Sequence, residues 1–177
     1  YYGAADCLIT SASSKTSIAL AFATKQRGAM RAIGLTSSRN RAFCEGLGCY
    51  DQVLTYDEIN QLSTEGGAVL VDMAGNAELN AELHHHFGDQ LRYDCRIGIT
   101  HREAPPATDE TLPGPKPEMF FAPHQAQKRA REWGPEVLEQ RIAGDFAKFR
   151  EFADSWLRVK RFDGRDAAQQ AFVEVLE

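Results

Sequence analysis

Strand-like apolar segments alternate with helix-like segments through the first hundred residues, and this alternation constrains the fold more than any other feature. The strand-like segments are residues 6–10, 30–36, 52–56, 68–71 and 95–100. The helix-like segments between them are residues 14–26, 39–47, 57–62 and 77–87. Strands that alternate with helices form a parallel sheet with right-handed crossover connections. The sequence therefore predicts an α/β fold.

The composition changes after residue 103. Residues 104–117 hold five of the seven prolines and have no apolar period, so they are predicted to form a loop. Helices are predicted over residues 123–133, 135–156 and 163–176, with Asp163 as the N-cap of the last, and residues 157–162 have the pattern of a strand. One face of the longest helix is apolar and suits a protein core: Phe146, Phe149, Phe152, Ala153 and Trp156.

A turn of small residues joins the first strand to the first helix and reads Thr10-Ser11-Ala12-Ser13-Ser14-Lys15-Thr16-Ser17. A strand, such a turn and a helix together present backbone N–H groups and a helix N-terminus to a phosphate group. Some dinucleotide-binding turns have the spacing G-x-x-G-x-x-G, and here serine stands at each glycine place: Ser11, Ser14 and Ser17. The turn is therefore predicted to hold the phosphates of a nucleotide.

Serine at these places changes the expected chemistry. A serine hydroxyl, such as that of Ser13, can itself bond a phosphate, and Lys15 and Thr16 add a cation and another hydroxyl at the helix start. Serine resists a positive φ, so the turn is predicted to differ in path from a glycine-rich one. The alternative interpretation is a serine-rich helix cap that binds nothing.

The end of the second strand carries no acidic residue. NAD-binding folds place an acid there to accept hydrogen bonds from the adenine ribose. This chain has Ser37, Ser38 and Arg39 instead, and hydroxyls with a guanidinium suit a 2′-phosphate. The pattern favours NADP(H) over NAD(H). The alternative is a serine helix cap followed by solvated arginines.

The fourth strand ends in Val71-Asp72-Met73-Ala74-Gly75-Asn76. Asp72 and Gly75 are expected at the carboxyl edge of the sheet, where ligands bind in open α/β folds. With Lys15 and Thr16, Asp72 also permits a competing interpretation as the magnesium-binding acid of a P-loop NTPase. That hypothesis lacks the glycines that a P-loop needs, because Ile9 and Ser14 stand in their places.

No metal site or catalytic group is predicted. His84, His85 and His86 are consecutive, and neighbouring helix positions point about 100° apart, so we expect a solvated helix end rather than a ligand set. His101 follows the fifth strand and could face the nicotinamide side of the cleft. The four cysteines have no metal-type spacing and are expected to be buried, reduced thiols of a cytoplasmic protein.

Net charge and hydropathy limit the classes of partner that this chain is expected to bind. The net charge of −5 argues against a general nucleic-acid binder. No apolar run approaches the roughly 20 residues of a membrane span. A small-molecule partner is the remaining expectation.

Four segments together resemble a domain-of-unknown-function family: residues 9–16, 34–40, 48–51 and 71–76. That family is itself similar to the medium-chain dehydrogenase/reductase superfamily, especially its zinc-independent quinone and enoyl reductases. The resemblance implies a Rossmann-type doubly wound parallel sheet with a helical C-terminal extension. It implies a cofactor-binding domain over residues 1–121 and a helical segment over 122–177. That segment would complete a catalytic domain whose N-terminal part is expected to be absent.

The resemblance also implies roles for individual residues. Ser11, Ser14 and Ser17 fall on the glycine positions of the pyrophosphate turn, with Lys15 and Thr16 between them. Ser37, Ser38 and Arg39 fall where NADP-dependent members hold the 2′-phosphate. The remaining matched positions lie near the nicotinamide and its ribose: Ala74, Gly75, Ile99, Thr100 and Phe121.

These observations lead to three functional hypotheses. The favoured one is NADP(H)-dependent oxidoreduction of a carbonyl, enone or quinone-like small molecule by a homodimer, the homodimer being expected by analogy. The second is a non-catalytic, degenerate Rossmann module for nucleotide sensing or protein interaction. The third is the P-loop-like NTPase.

Overall fold

The computed structural model describes residues 2–97 and 112–176. The strands are β1 (Asp6–Ile9), β2 (Arg31–Thr36), β3 (Gln52–Thr55), β4 (Ala68–Asp72), β5 (Leu91–Arg96) and β6 (Glu118–Met119). The helices are α1 (Lys15–Arg27), α2 (Arg41–Gly46), α3 (Ala77–Phe87), α4 (Ala122–Trp133), α5 (Pro135–Ala153) and α6 (Arg165–Leu176). Short 3₁₀ turns cover Ser38–Asn40, Tyr56–Gln61 and Gly88–Gln90.

All six strands are parallel and lie in the order β3-β2-β1-β4-β5-β6. The chain first winds outward from β1 to β3, then returns to the centre and winds outward from β4 to β6. The direction of winding therefore reverses between β1 and β4, and in open α/β sheets a crevice opens at that point beyond the carboxyl ends of the strands. This is the strand order of a Rossmann-type doubly wound sheet, as predicted.

Alternate residues of the central strands point to opposite faces of the sheet and pack into two separate hydrophobic cores. Cys7 and Ile9 of β1 pack with α1 and α2 on one face of the sheet, whereas Leu8 packs with α3 on the other. A strand that is apolar on both faces suits a sheet with helices on each side. All four cysteines are free and buried, as expected.

Helix α5 packs on helix α1 through the predicted aromatic face. Phe152 stacks on Phe22 with ring centroids 4.8 Å apart, and Phe149 meets the edge of the same ring at 5.8 Å. Trp156 lies against Phe43 of α2, whereas Phe146 is exposed. The predicted helical C-terminal extension therefore contacts the layer formed by α1 and α2.

Several predicted boundaries are wrong. The fifth strand runs over Leu91–Arg96 rather than 95–100, because the polar Arg92 and Asp94 obscure its pattern. The predicted helix over 39–47 divides into a 3₁₀ turn and the short α2. Residues 157–162 form no strand, since no neighbouring strand pairs with them, and α6 begins at Arg165, two residues after the predicted cap. The short β6 lies next to the predicted loop and has too few residues for a recognisable pattern.

Among the described helices, none combines the length and the apolar character that a membrane crossing requires.

Candidate nucleotide-binding site

The turn after β1 contains no glycine, yet its first serine adopts a positive φ. Ser11 has a φ of 49°, in the left-handed region that serine adopts at a cost of about 1–2 kcal/mol. Its carbonyl accepts a 2.8 Å hydrogen bond from the N–H of Ser14, which closes the turn directly before α1. The prediction that serine would change the path of the turn is therefore wrong at Ser11, where the surrounding structure imposes the strained conformation.

The other two substituted positions use their hydroxyls inside the protein. Ser14 caps α1, because its Oγ accepts from the N–H of Ser17, and it donates to Ser17 Oγ at 2.8 Å. Ser17 is completely buried and donates to the Thr10 carbonyl at 3.0 Å. These two hydroxyls therefore hold α1 against the end of β1.

The start of α1 leaves two backbone donors available. The N–H groups of the first helical turn have no intrahelical partner, and those of Ser14 and Ser17 are occupied by the turn and the cap. The N–H groups of Lys15 and Thr16 remain, and both residues are exposed. No acidic residue lies in this first turn, so the positive end of the helix dipole is not offset. An anion such as a pyrophosphate fits here.

Tyr50 is buried against the turn after β1 and is hydrogen-bonded to it, a role that no sequence pattern predicted. Its hydroxyl donates a 2.7 Å hydrogen bond to the Ala12 carbonyl, while the Ala12 N–H donates to the Leu35 carbonyl. A Cβ at Gly34 would lie 2.9 Å from Tyr50 Cδ1 and 3.0 Å from Ala12 Cβ. Gly34 therefore makes room for the tyrosine ring.

The turn after β2 lies beside the turn after β1. Asn40 Nδ2 donates a 3.1 Å hydrogen bond to Ser13 Oγ and so joins the two turns. Ser38 and Arg39 are exposed, and Ser37 is partly exposed with no side-chain cap bond. Within the described residues, Arg39 has no ion pair or hydrogen-bonded partner, so its guanidinium is free for a ligand.

Arg41 is a different case from Arg39. Its Nη1 lies 2.9 Å from both carboxylate oxygens of Glu58, and its Nε donates to Glu45. Hydrogen bonds from the Thr55 backbone and Arg41 lower the pKa of Glu58, and the bonds to Glu45 and Glu58 raise the pKa of Arg41. Arg41 is thus occupied by ion pairs within the protein. The sequence alone could not show that, among the described residues, Arg41 is paired and Arg39 is not.

Asp72 clamps the end of β4 to the end of β1. Its Oδ1 accepts from the Thr10 hydroxyl at 2.8 Å and from the N–H groups of Ala74 and Gly75 at 3.0 Å, while Oδ2 accepts from Asn80 Nδ2 at 2.7 Å. The carboxylate is completely buried. Ala74 and Gly75 therefore lie at the carboxyl edge beside Thr10, but Asp72 itself cannot reach a ligand.

The remaining predicted residues divide into two groups. Ile99, Thr100 and His101 lie outside the described residues. Phe121 follows β6 at the carboxyl edge, is exposed, and places its ring 5.0 Å from that of His124.

Across residues 2–97 and 112–176, no three His, Cys, Asp or Glu side chains are grouped to hold a metal ion.

His84 corrects the prediction of a solvated helix end. Its side chain is completely buried, whereas His85 is exposed and His86 bonds the Leu62 carbonyl. The His84 Nε2 lies 3.0 Å from Asp94 Oδ2 on the next strand, β5, and this partner could not be predicted from the residues next to His84 in the sequence.

The sequence profile of a family described as "Protein of unknown function (DUF2855)" matches residues 1–177. The chain belongs to this DUF2855 family. The match confirms the family resemblance drawn from the four motifs. Among curated proteins, none matches the chain in sequence.

Three of the solved structures with a similar fold are described as reductases. A protein assigned as an NADPH:quinone reductase from Mesorhizobium loti has a TM-score of 0.58 and 17% identity, over 89% of this chain and 46% of that one. A protein with the same assignment from Bacillus thuringiensis has a TM-score of 0.54 and 18% identity, over 98% and 52%. A mutant enoyl thioester reductase from Candida tropicalis has a TM-score of 0.53 and 13% identity, over 89% and 46%.

The chain spans about half the length of each of these structures. At these identities the likeness establishes the fold alone. The DUF2855 chain therefore has a Rossmann-type fold similar to that of these reductases.

Proposed function

We propose that this chain is the nucleotide-binding part of an NADP(H)-dependent oxidoreductase of the medium-chain type. The observation that carries the proposal is the joining of two carboxyl-edge turns. The hydrogen bond from Asn40 to Ser13 holds the turn after β1 beside the acid-free Ser37–Arg39 turn after the neighbouring strand β2, at the carboxyl edge of the sheet. One face of the protein thus offers donors for a pyrophosphate and a free cation for a 2′-phosphate.

The residues present fit NADP(H) in charge and in donor type. The N–H groups of Lys15 and Thr16 would bind the pyrophosphate, and the Lys15 ammonium adds a positive charge. Ser37, Ser38 and Arg39 would bind the 2′-phosphate, since a guanidinium can hold a phosphate with two parallel hydrogen bonds. Ala74, Gly75 and Thr100 are proposed for the nicotinamide side.

When bound, NADP(H) supplies hydride transfer. The chain's own residues bind and orient the dinucleotide, and the clamp between Thr10 and Asp72 keeps the two central turns in a fixed relation. We propose a carbonyl, enone or quinone-like small molecule as substrate. We assign no proton donor.

Two further expectations accompany the proposal by analogy. We propose that residues 122–177 contribute to a catalytic domain, next to a cofactor-binding domain over 1–121. We also propose a homodimer formed through the sheet edge, where β6 pairs with β5 on one side.

A second candidate, a non-catalytic Rossmann module, is favoured by one observation. The hydroxyls of Ser14 and Ser17 and the N–H of Ala12 all bond the protein itself. A turn that satisfies its own donors in this way could persist after nucleotide binding was lost. The P-loop hypothesis has no such support, because all the interactions of the Asp72 carboxylate are internal and the side chain is buried.

Ligand titration separates the three candidates. The chain is titrated with NADPH, NADH and Mg-ATP while nicotinamide fluorescence and the thermal unfolding temperature are followed. Our proposal expects saturable NADPH binding that is tighter than NADH binding. No response to any of the three ligands would favour the non-catalytic module, and a response to Mg-ATP alone would contradict the reductase assignment.

A further inference from the structure

A buried histidine lies between two hydrogen-bond acceptors, away from the candidate nucleotide site. His84 of α3 is completely buried. Its Nε2 is 3.0 Å from Asp94 Oδ2 on β5, and its Nδ1 is 2.7 Å from the Pro113 carbonyl oxygen. Pro113 belongs to the segment over residues 112–117 that leads into β6.

The two contacts determine the protonation state that fits this geometry. A carbonyl oxygen only accepts hydrogen bonds, and so does an ionised carboxylate. A neutral imidazole has one N–H and can satisfy one of them, whereas an imidazolium has two and can satisfy both. Among the described residues, the charged groups that face His84 are on β5: Asp94, and Arg96, whose Nε is 3.9 Å from Asp94 Oδ2.

We propose that His84 is a pH-sensitive latch that, as an imidazolium, fastens residues 112–117 and strand β6 to helix α3 and strand β5, and that releases the Pro113 carbonyl when it loses a proton. The latch is independent of nucleotide binding and of the function proposed above.

The segment is packed closely enough for one lost bond to matter. Gly114 has a φ of 84°, and a Cβ there would lie 2.7 Å from the Gly88 carbonyl oxygen at the end of α3. Beyond it, the two-residue β6 pairs with β5. Two further bonds join this region to β5: the Phe120 N–H donates to the Arg96 carbonyl at 2.8 Å, and the Tyr93 hydroxyl donates to Glu118 at 3.1 Å. Loss of the Pro113 bond therefore removes a tie to α3 from a short strand at the edge of the described sheet.

The direction of the response follows from the surroundings. Burial by itself lowers the pKa of His84, but the hydrogen bonds to Asp94 and to the Pro113 carbonyl outweigh it and raise the pKa above its usual value. The latch is closed below the raised pKa and opens as the pH rises through it.

The first test uses the wild-type chain. NMR follows the His84 ring nitrogens from pH 5.5 to 9, and amide hydrogen exchange follows residues 112–120, corrected for the intrinsic effect of pH. We expect His84 to be doubly protonated at pH 6, and the corrected exchange of this segment to rise as the pH passes the raised pKa of His84. A neutral His84 at pH 6, or corrected exchange that does not change with pH, would overturn the proposal.

Two substitutions separate the two bonds. H84N places an amide N–H near the position of Nδ1 and should retain protection of residues 112–120 at both ends of the pH range. H84Q places it near Nε2, keeps the Asp94 bond and should expose the segment at every pH. The exposed His85→Gln is the matched control and should behave as wild type. Equal protection in H84Q and wild type at pH 6 would refute the latch.

Discussion

The Thr10 hydroxyl donates a 2.8 Å hydrogen bond to Asp72 Oδ1, and both side chains are completely buried. Thr10 Oγ1 also accepts from the N–H groups of Met73 and Ala74, so one hydroxyl organises the ends of two strands that lie 62 residues apart in the chain. The carboxyl ends of β1 and β4 are thus held together by an internal polar network.

Thr10→Val should test this network, because it removes the hydroxyl and keeps the shape. The Met73 N–H and part of the Asp72 carboxylate lose their partner, and each unsatisfied buried group costs about 1–3 kcal/mol. We expect the free energy of unfolding to fall by about 2–3 kcal/mol in chemical denaturation. Thr16→Val, at an exposed position of the same turn, is the control and should change stability little; equal losses in the two variants would argue against the network.

Ser11 stores strain that a glycine would relieve. At a φ of 49° glycine has no Cβ penalty, and the described structure shows no hydrogen bond from the Ser11 hydroxyl. We therefore expect Ser11→Gly to be more stable than Ser11→Ala by about 1 kcal/mol in the same denaturation assay. If the alanine variant is the more stable of the two, Ser11 does not adopt this conformation in solution.

Gly34→Ala should disturb the support of the phosphate turn. Its added methyl would lie 2.9 Å from the Tyr50 ring and 3.0 Å from Ala12 Cβ, both of which are buried. Overpacking of this kind costs about 1–3 kcal/mol. The control is Gly46→Ala, whose added Cβ would meet nothing within 4 Å and should be tolerated. Stability is measured for both, and a harmless Gly34→Ala would contradict the close packing against Tyr50.

Arg39→Glu should weaken NADPH binding selectively. A charge-assisted hydrogen bond is worth about 1.5–3 kcal/mol, which corresponds to a loss of roughly 10- to 100-fold in affinity for NADPH and little change for NADH. Arg27→Glu makes the same charge change at the far end of α1 and is the matched control. Equal loss in the two variants would mean that only net charge matters, and that Arg39 does not contact the 2′-phosphate.

The stability of the chain should fall as the pH rises above about 6.5, the usual pKa of an unfolded histidine. The folded pKa of His84 is raised, so above 6.5 the folded state binds more protons than the unfolded state, and the free energy of unfolding declines until the pH passes the folded pKa. Asp94→Asn should reduce this slope between pH 6 and 8, as measured by denaturation at each pH.

Two buried cysteines should add to the loss of stability at higher pH. Burial raises the pKa of Cys49 and Cys95 to about 11, so above about pH 8.5 the thiols ionise in the unfolded state first and the free energy of unfolding declines further.

Local patterns predicted much of the molecule. The prediction for α3 matches in both bounds, and β2, β3 and β4 begin or end within one residue of the prediction, because each is an apolar run between clear turn residues. The predicted bounds of β5 were wrong, because Arg92 and Asp94 interrupt its apolar pattern. Asp94 is tolerated inside this strand because its carboxylate is hydrogen-bonded to His84. A strand over 157–162 failed for the converse reason: the pattern is suitable, but no strand lies beside it.

The sequence by itself determined the class of fold and the place of the candidate site. Alternating strands and helices permit few topologies, and a small-residue turn between a strand and a helix is a short-range feature. Tertiary structure alone decided which side chains are free at that site. Arg39 is available and Arg41 is paired with Glu58, while Asp72 is a buried clamp, Tyr50 a support and His84 part of a buried pair. Those roles depend on partners from distant parts of the chain, which come together only when the sheet is assembled.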